Sequence, residues 1–276
     1  MKARHEARIV ENVPEGAGTN ASDGMVRMTL HAPEVAREAR PGQFVNLYPR
    51  DGRLLLPRPL GIADADEGAG TVTLYYVVVG EGTRALASLA GGDRVELLGP
   101  NGNGYDLAAA GRNVLLAGGG TGLPPLLYAA KRLREAGAPA TITAAAGFRT
   151  TPLLTDRLAQ SCDTVFTVTE TDRAASVRTS GATSEPLALM GNVIDLLDAV
   201  GAPEGVTGCL ACGPAPMLKA LAAWCASRSI PLQVSLEARM GCGYGACVGC
   251  TIDTAHGRRK ICADGPVFGA GEVTWA

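Results

Sequence analysis

The sequence predicts an antiparallel β-barrel, then an α/β domain built on a parallel sheet, and last a small C-terminal segment that binds an iron–sulfur cluster. Short alternating apolar segments separated by Gly, Pro or Asp fill the first part of the chain. An apolar strand that enters a Gly-rich turn then begins an alternation of strands and helices. Four closely spaced cysteines stand near the end. We expect domains at residues 1–110, 111–232 and 233–276.

Composition narrows the function classes. The 276 residues are 46% hydrophobic and 19% charged, as in an ordinary globular protein, and the net charge of −2 favours neither nucleic acid nor an anionic membrane as a partner. There is no apolar run long enough to span a membrane, and the charged N-terminus does not resemble a secretory signal, so we expect a cytoplasmic protein. Only three histidines occur, and we expect no catalytic acid or base.

Five segments of the first domain have the alternation of barrel strands, and one helix is expected at residues 83–89. The expected strands are residues 7–10, 25–30, 43–47, 71–79 and 94–98.

Three stretches of this barrel carry candidate binding residues. They are Arg58, Pro59, Leu60 and Gly61 after an apolar strand; Tyr75, Tyr76 and Val77 on a later strand; and Gly82 with Thr83 at the start of the helix. Free N–H groups at a helix N-terminus suit a phosphate, and an arginine would add bidentate contacts. The alternatives are a solvated surface arginine and an ordinary helix N-cap.

The second domain begins with an apolar strand, residues 114–117, which runs into a glycine-rich turn and a helix at residues 126–135. Strand, glycine-rich turn and helix are typical of dinucleotide binding. The turn residues are Gly118, Gly119, Gly120, Thr121 and Gly122. Further strands are expected at 140–146, 164–170 and 206–212, and further helices at 151–161, 192–200 and 216–227.

The last of these strands ends in Cys212, Gly213 and Pro214, where ligands of open α/β sheets gather, so Cys212 is placed to border a nicotinamide. The alternatives are a second metal pair with Cys209 or small buried side chains; for Cys209 we favour burial. Residues 172–190 are expected to form a loop over the cofactor cleft or a mobile lid, in which Arg173 and Arg178 are weak candidates for phosphate contacts.

The C-terminal cysteines Cys242, Cys247, Cys250 and Cys262 are spaced C-x4-C-x2-C-x11-C. Three thiolates on one tight loop and a fourth on a returning strand form the plant-type arrangement for a 2Fe–2S cluster. Structural zinc usually shows two C-x2-C pairs, and a disulfide framework needs an oxidising compartment, so the cluster is the favoured interpretation.

Taken in order, these motifs resemble the ferredoxin reductase-like superfamily, and within it the electron transfer subunits of NAD-dependent, two-subunit dihydroorotate dehydrogenases. The resemblance covers essentially the whole chain and includes residues 99–105 and the tail at residues 262–268.

This resemblance implies three cofactors: FAD, NAD(H) and the 2Fe–2S cluster. The 58–61 stretch would hold the flavin and its phosphates, residues 75–77 would line the flavin or adenosine, and Gly82 with Thr83 would cap the pyrophosphate. Residues 118–122 would lie under the NADH phosphates. The family usually has Ser or Thr where this chain has Gly61, so that hydroxyl contact is absent.

The resemblance also implies a partner, an FMN-containing catalytic subunit assembled with this chain as a heterotetramer in pyrimidine biosynthesis. Two other interpretations stay open. One is the NAD(P)H-binding subunit of a sulfhydrogenase or of a ferredoxin:NAD(P) oxidoreductase. The other is a redox sensor without catalytic activity.

Overall fold

The computed structural model describes residues 4–16, 24–49, 52–137, 141–171, 175–179 and 185–275. Within these ranges the chain forms two compact units. Unit 1 consists of Met1–Gly104, Ala238–Ile252 and Arg258–Pro266, and unit 2 of Tyr105–Glu237, Asp253–Gly257 and Val267–Ala276. The predicted three-domain boundaries stay a prediction.

Unit 1 contains a closed barrel of six antiparallel strands in the order β1-β2-β5-β4-β3-β6. The strands are β1 (Arg4–Glu15), β2 (Met25–His31), β3 (Phe44–Tyr48), β4 (Arg58–Asp66), β5 (Thr71–Tyr76) and β6 (Arg94–Asn101). Alternate residues of strands such as β2 are buried, as a half-buried strand requires: Met28 and Leu30 are fully buried, whereas Thr29 between them is only partly buried. The predicted barrel is confirmed.

Three details of the barrel differ from the sequence prediction. The strand expected at residues 71–79 ends at Tyr76. The 58–61 stretch begins strand β4 rather than following a strand, because Pro59 tolerates a position at the start of a strand. A short helix, α1 (Pro33–Glu38), follows β2, although one helix alone is expected in the barrel, at residues 83–89; Pro33 fits the first helical turn, where no N–H donor is needed. The expected helix at 83–89 is present as α2 (Glu81–Ala87).

Unit 2 is an α/β layer around an eight-stranded sheet in the order β11-β10-β9-β8-β7-β12-β13-β16. The five central strands are parallel: β7 (Asn113–Gly119), β8 (Thr141–Phe148), β9 (Thr164–Thr169), β12 (Gly208–Cys212) and β13 (Leu232–Ser235). The antiparallel edge strands are β10 (Ser176–Thr179), β11 (Glu185–Pro186) and β16 (Val267–Gly269). The helices are α3 (Leu123–Glu135), α4 (Thr155–Leu158), α5 (Val193–Val200) and α6 (Ala215–Ala226).

Three predictions for unit 2 need correction. Helix α4 is a single turn rather than eleven residues long, because Leu154 before it adopts the left-handed φ of 64° that a helix excludes. Strand β12 starts two residues later than expected. The segment 172–190 is not wholly a loop, since it contains β10 and β11; Ser176 and Val177 of β10 extend the sheet beside β9. Arg173 lies outside the described residues.

The segment predicted to bind the cluster also contains a hairpin, formed by β14 (Thr251–Thr254) and β15 (Gly257–Lys260). Among the described residues, none of the helices combines the length and apolar character needed to cross a membrane.

Candidate cofactor sites

The four predicted cluster cysteines fall into two thiol pairs in unit 1. The sulfurs of Cys250 and Cys262 lie 3.2 Å apart, and the backbone N–H of Cys247 donates to the sulfur of Cys242 over 3.3 Å. Two thiolates bound to one tetrahedral metal at about 2.3 Å stand roughly 3.8 Å apart. The Cys250 and Cys262 sulfurs therefore fit one iron of a binuclear cluster, and the Cys247 thiol also interacts with the Cys242 sulfur, as ligands of a second iron would.

In the part of the chain that the structure describes, no three His, Cys, Asp or Glu side chains meet at a point that would hold one ion. Two separated thiol pairs are what a 2Fe–2S cluster needs, because each of its two irons takes two thiolates.

Backbone N–H groups favour the thiolate at Cys242. Burial acts to raise its pKa, but N–H donors from Cys247, Tyr244 and Ala246 outweigh burial and lower the pKa of Cys242 to about 6. Burial and the neighbouring Cys250 thiol instead raise the pKa of Cys262 to about 12. Such N–H donors also tune the potential of a cluster that receives them.

The loop that carries these cysteines is held by contacts that the sequence analysis missed. Lys260 donates from Nζ to the carbonyl of Gly245 over 2.5 Å, and the carboxylate of Asp264 accepts from the backbone N–H of Lys260 over 2.7 Å. Tyr244 and Val248 on the loop are exposed apolar side chains. The loop is therefore anchored on one side and presents an apolar surface on the other.

In the barrel, two of the predicted flavin stretches meet. A Cβ placed on Gly82 would lie 1.9 Å from Nε and 2.0 Å from Nη2 of Arg58, so the guanidinium packs directly on the first turn of α2. Arg58 also donates to the carbonyls of Leu56 and Pro57. This places a positive charge beside the N–H groups of a helix start, a combination that suits phosphate oxygens.

Thr83 and Tyr76 use their hydroxyls within the protein. The Thr83 hydroxyl accepts from the backbone N–H groups of Val79 and Gly80, which caps α2. Tyr76 donates to Oδ1 of Asn12, and Nδ2 of Asn12 donates to two carbonyls at the end of α2. Val77 lies just beyond β5. Their predicted flavin contacts stay a prediction, but this network holds α2 on the barrel.

In unit 2 the two predicted nucleotide stretches also meet. Strand β7 leads through a turn of 3₁₀ helix at residues 120–122 into α3, as predicted. Cys212 pairs with Gly118 in the parallel ladder, and a Cβ on Gly122 would lie 2.2 Å from the carbonyl oxygen of Cys212. The Gly213 backbone, with φ of +158°, passes close to Gly119. Only glycine allows this close approach of the turn to the end of β12.

Side chains around Cys212 include one candidate that the sequence analysis overlooked. Burial raises the pKa of Cys212 to about 12, and nearby Glu237 adds to that rise, so the thiol stays neutral at physiological pH. Glu237 is exposed as a residue, but its carboxyl is packed closely enough that burial raises its pKa, partly offset by a hydrogen bond from Thr121. Its position after β13 gave no motif signal. Cys209, Cys162 and Cys225 are buried, as expected.

Arg178, one of the two arginines considered for phosphate contacts, lies on β10 and forms an ion pair with Asp156.

Comparisons with known proteins decide the family. A family model described as the iron–sulfur cluster binding domain of dihydroorotate dehydrogenase B matches residues 237–274. The electron transfer subunit of dihydroorotate dehydrogenase B (NAD(+)) from Shouchella clausii is 37% identical over 275 residues, covering 92% of this chain and 94% of that protein. The chain belongs to this family. The Bacillus caldolyticus member is 40% identical and covers 89% of this chain.

Solved structures agree on the fold. A structure that concerns flavin-based electron bifurcation in an NADH-dependent reduced ferredoxin-NADP oxidoreductase has a TM-score of 0.80, 29% identity and coverage of 98% of this chain and 90% of that one. A ferredoxin NADP+ reductase from Neisseria gonorrhoeae has a TM-score of 0.58 at 19% identity, covering 78% of this chain and 87% of its own, and so shows the fold alone.

Family membership confirms the ferredoxin reductase-like fold and the enzyme class, an NAD-linked oxidoreductase subunit that transfers electrons for dihydroorotate dehydrogenase. It also confirms the predicted set of cofactors, FAD, NAD(H) and the 2Fe–2S cluster, at the level of the family. Which residues hold each cofactor stays a prediction.

Proposed function

We propose that this chain connects the oxidation of dihydroorotate on an FMN-containing catalytic subunit to NAD+, with two copies of each subunit in the complex. The observation that carries the proposal is the arrangement of four cysteines in the same unit as the barrel, where Cys242 contacts Cys247 and Cys250 contacts Cys262. When bound, FAD exchanges a hydride with NAD(H), and the cluster exchanges single electrons.

The residues of the chain have binding and orienting roles in this proposal. The guanidinium of Arg58 and the first turn of α2, at Gly82 and Thr83, hold the flavin phosphates. Residues 59–61 and 75–77 line the flavin. In unit 2, residues 118–122 hold the phosphates of NAD(H), and Cys212, Gly213 and Pro214 border its nicotinamide.

The neutral state of the Cys212 thiol supports this assignment. A thiol whose pKa is about 12 neither donates charge to the nicotinamide nor acts as a nucleophile near pH 7, and it fills space next to the ring. No side chain of this chain needs to act as an acid or base. Its contribution is orientation and exclusion of water.

The exposed apolar side chains of Tyr244 and Val248 beside the cysteines support docking of the catalytic subunit at the cluster loop. Four reduced thiols also require a reducing compartment, which supports a cytoplasmic location.

The test is anaerobic co-expression with the catalytic dihydroorotate dehydrogenase subunit of the same cell. We expect a complex of equal stoichiometry in which dihydroorotate reduces NAD+, yielding orotate, NADH and a proton. A sulfhydrogenase or ferredoxin-linked partner that binds instead would contradict the pyrimidine assignment.

Cys250→Ser tests the ligand assignment within the complex. We expect it to abolish dihydroorotate-dependent NAD+ reduction while NADH still reduces an artificial dye through the flavin. Cys162→Ala, at a buried thiol of unit 2, is the matched control and should retain both activities. Equal loss of dye reduction in Cys250→Ser with FAD still bound would show that the cluster is not a separate step.

A further inference from the structure

Asn46 is a fully buried polar residue whose hydrogen bonds are only half satisfied. It lies on β3 with 0% exposure, and its Nδ2 donates to the backbone carbonyl of Cys242 over 3.3 Å. Its Oδ1 has no hydrogen-bond partner among the described residues. A leucine of nearly the same shape would avoid burying that unpaired oxygen. The buried amide therefore costs the barrel stability, and the hydrogen bond that its Nδ2 donates to the cluster loop needs an explanation.

The amide group is wedged against the cluster loop. Gly243, next to Cys242, has φ of +70°, and a Cβ built on it would lie 2.4 Å from Nδ2 and 2.5 Å from Oδ1 of Asn46. The Gly243 backbone thus rests on the face of the amide. The contact fixes the loop at the first predicted cluster cysteine.

The same side chain belongs to the strand that adjoins the predicted flavin stretch. In the ladder Asn46 lies opposite Pro59 on β4, between the neighbours Arg58 and Leu60, and opposite Leu98 on β6. Directly opposed residues project to the same face of a sheet. Asn46 is therefore one ladder position from the flavin stretch and one hydrogen bond from a cluster ligand.

We propose that Asn46 is a positioning residue for electron transfer, which holds the cluster loop on the flavin strand through its hydrogen bond to the Cys242 carbonyl. The proposal rests on the proposed function, since it needs FAD on the barrel and a cluster at the four cysteines. Outer hydrogen-bond partners of metal ligands orient those ligands and tune the metal. Loss of this hydrogen bond should therefore change the position of the Cys242 ligand and, with it, the properties of the cluster.

The test compares the wild-type complex, Asn46→Leu and the control Gln43→Leu. Gln43 is a buried amide just before β3 whose contacts, to Arg40 and to the Gly102 carbonyl, do not involve the cluster loop. The measurements are iron and sulfide content, the EPR spectrum and midpoint potential of the cluster, FAD content, and the rate at which NADH-reduced flavin reduces the cluster.

We expect Asn46→Leu to bind FAD and reduce dye as the wild type does. Its cluster should have an altered EPR spectrum and a shifted midpoint potential, and its reduction should be about tenfold slower. Gln43→Leu should match the wild type in all of these. Loss of the cluster in Asn46→Leu alone also supports the proposal, because only that variant frees the loop.

Two results would overturn the inference. One is an Asn46→Leu protein with wild-type spectrum, potential and rate, which would make Asn46 a tolerated buried amide. The other is an equal defect in both variants, which would indicate general barrel packing. Failure of the proposed function is distinct: without the proposed cofactors the wild-type cluster itself would not be reduced by NADH, and with a different partner the wild-type complex would not oxidise dihydroorotate.

Discussion

Replacing Gly82 with alanine should weaken FAD binding while leaving the fold intact. The new Cβ would lie 1.9 to 2.1 Å from the guanidinium atoms of Arg58. An ordinary carbon contact needs about 3.5 Å, so the guanidinium must retreat by about 1.5 Å. That distance is enough to break a hydrogen bond to a phosphate oxygen.

The magnitude follows from the type of bond that is lost. A hydrogen bond that involves a charged group contributes about 1.5–3 kcal/mol, which corresponds to about a 10- to 150-fold higher dissociation constant for FAD. The Arg58 side chain is flexible at its far end, so the clash itself costs the fold little. Alanine has a higher helix propensity than glycine, so the substitution should stabilise helix α2 by about 0.5–1 kcal/mol. Stability and FAD affinity should therefore change in opposite directions.

The assay is titration of the deflavinated protein with FAD, followed by flavin fluorescence, alongside denaturant unfolding. Gly80→Ala is the matched control: Gly80 is the N-cap of the same helix, its φ is −161°, and a Cβ there would meet nothing within 4 Å. It should bind FAD normally.

A double-mutant cycle makes the test decisive. In an Arg58→Ala background, Gly82→Ala should cause no further loss of FAD affinity, because the displaced group is already gone. Normal FAD binding by Gly82→Ala, or full additivity of the two changes, would refute the argument that this contact forms the phosphate site.

Three further predictions concern other parts of the chain. Gly122→Ala should abolish NADH binding but not FAD binding. The new Cβ would lie 2.2 Å from the backbone oxygen of Cys212, which has little room to move. A normal NADH titration would contradict this prediction. Lys260→Met should release the Gly245 carbonyl and speed loss of iron to a chelator about tenfold, an effect that Lys219→Met on α6 should not show. Burial raises the pKa of Tyr76 from 10.0 to about 12, so the contribution of Tyr76 to stability is fully present below pH 10 and is lost as pH rises through 12. The free energy of unfolding of Tyr76→Phe should therefore fall less steeply than that of the wild type between pH 10 and 11. Equal slopes would contradict this prediction.

Much of the candidate site could be predicted from the sequence because its residues are close together in the chain. The spacing of the four cysteines and the strand–glycine–helix pattern at residues 113–135 are local signals, and local backbone geometry determines them. The start of β4 at Arg58 was missed because prolines on both sides weaken the strand signal, whereas pairing with β3 stabilises the strand. Helix α4 was overestimated because apolar spacing does not report the left-handed backbone at Leu154.

The sequence by itself determined the fold class and the family resemblance, because these depend on periodicity and on motif spacing along the chain, and the cofactor set followed from that resemblance. The tertiary structure alone decided that Arg58 packs on Gly82, that Asn46 bonds to the Cys242 carbonyl, and that Glu237 stands near Cys212. Such pairs join residues that are far apart in the chain, and their contact depends on strand register and on the path of the returning segments. A pattern within one segment carries no information about which distant side chain will face it.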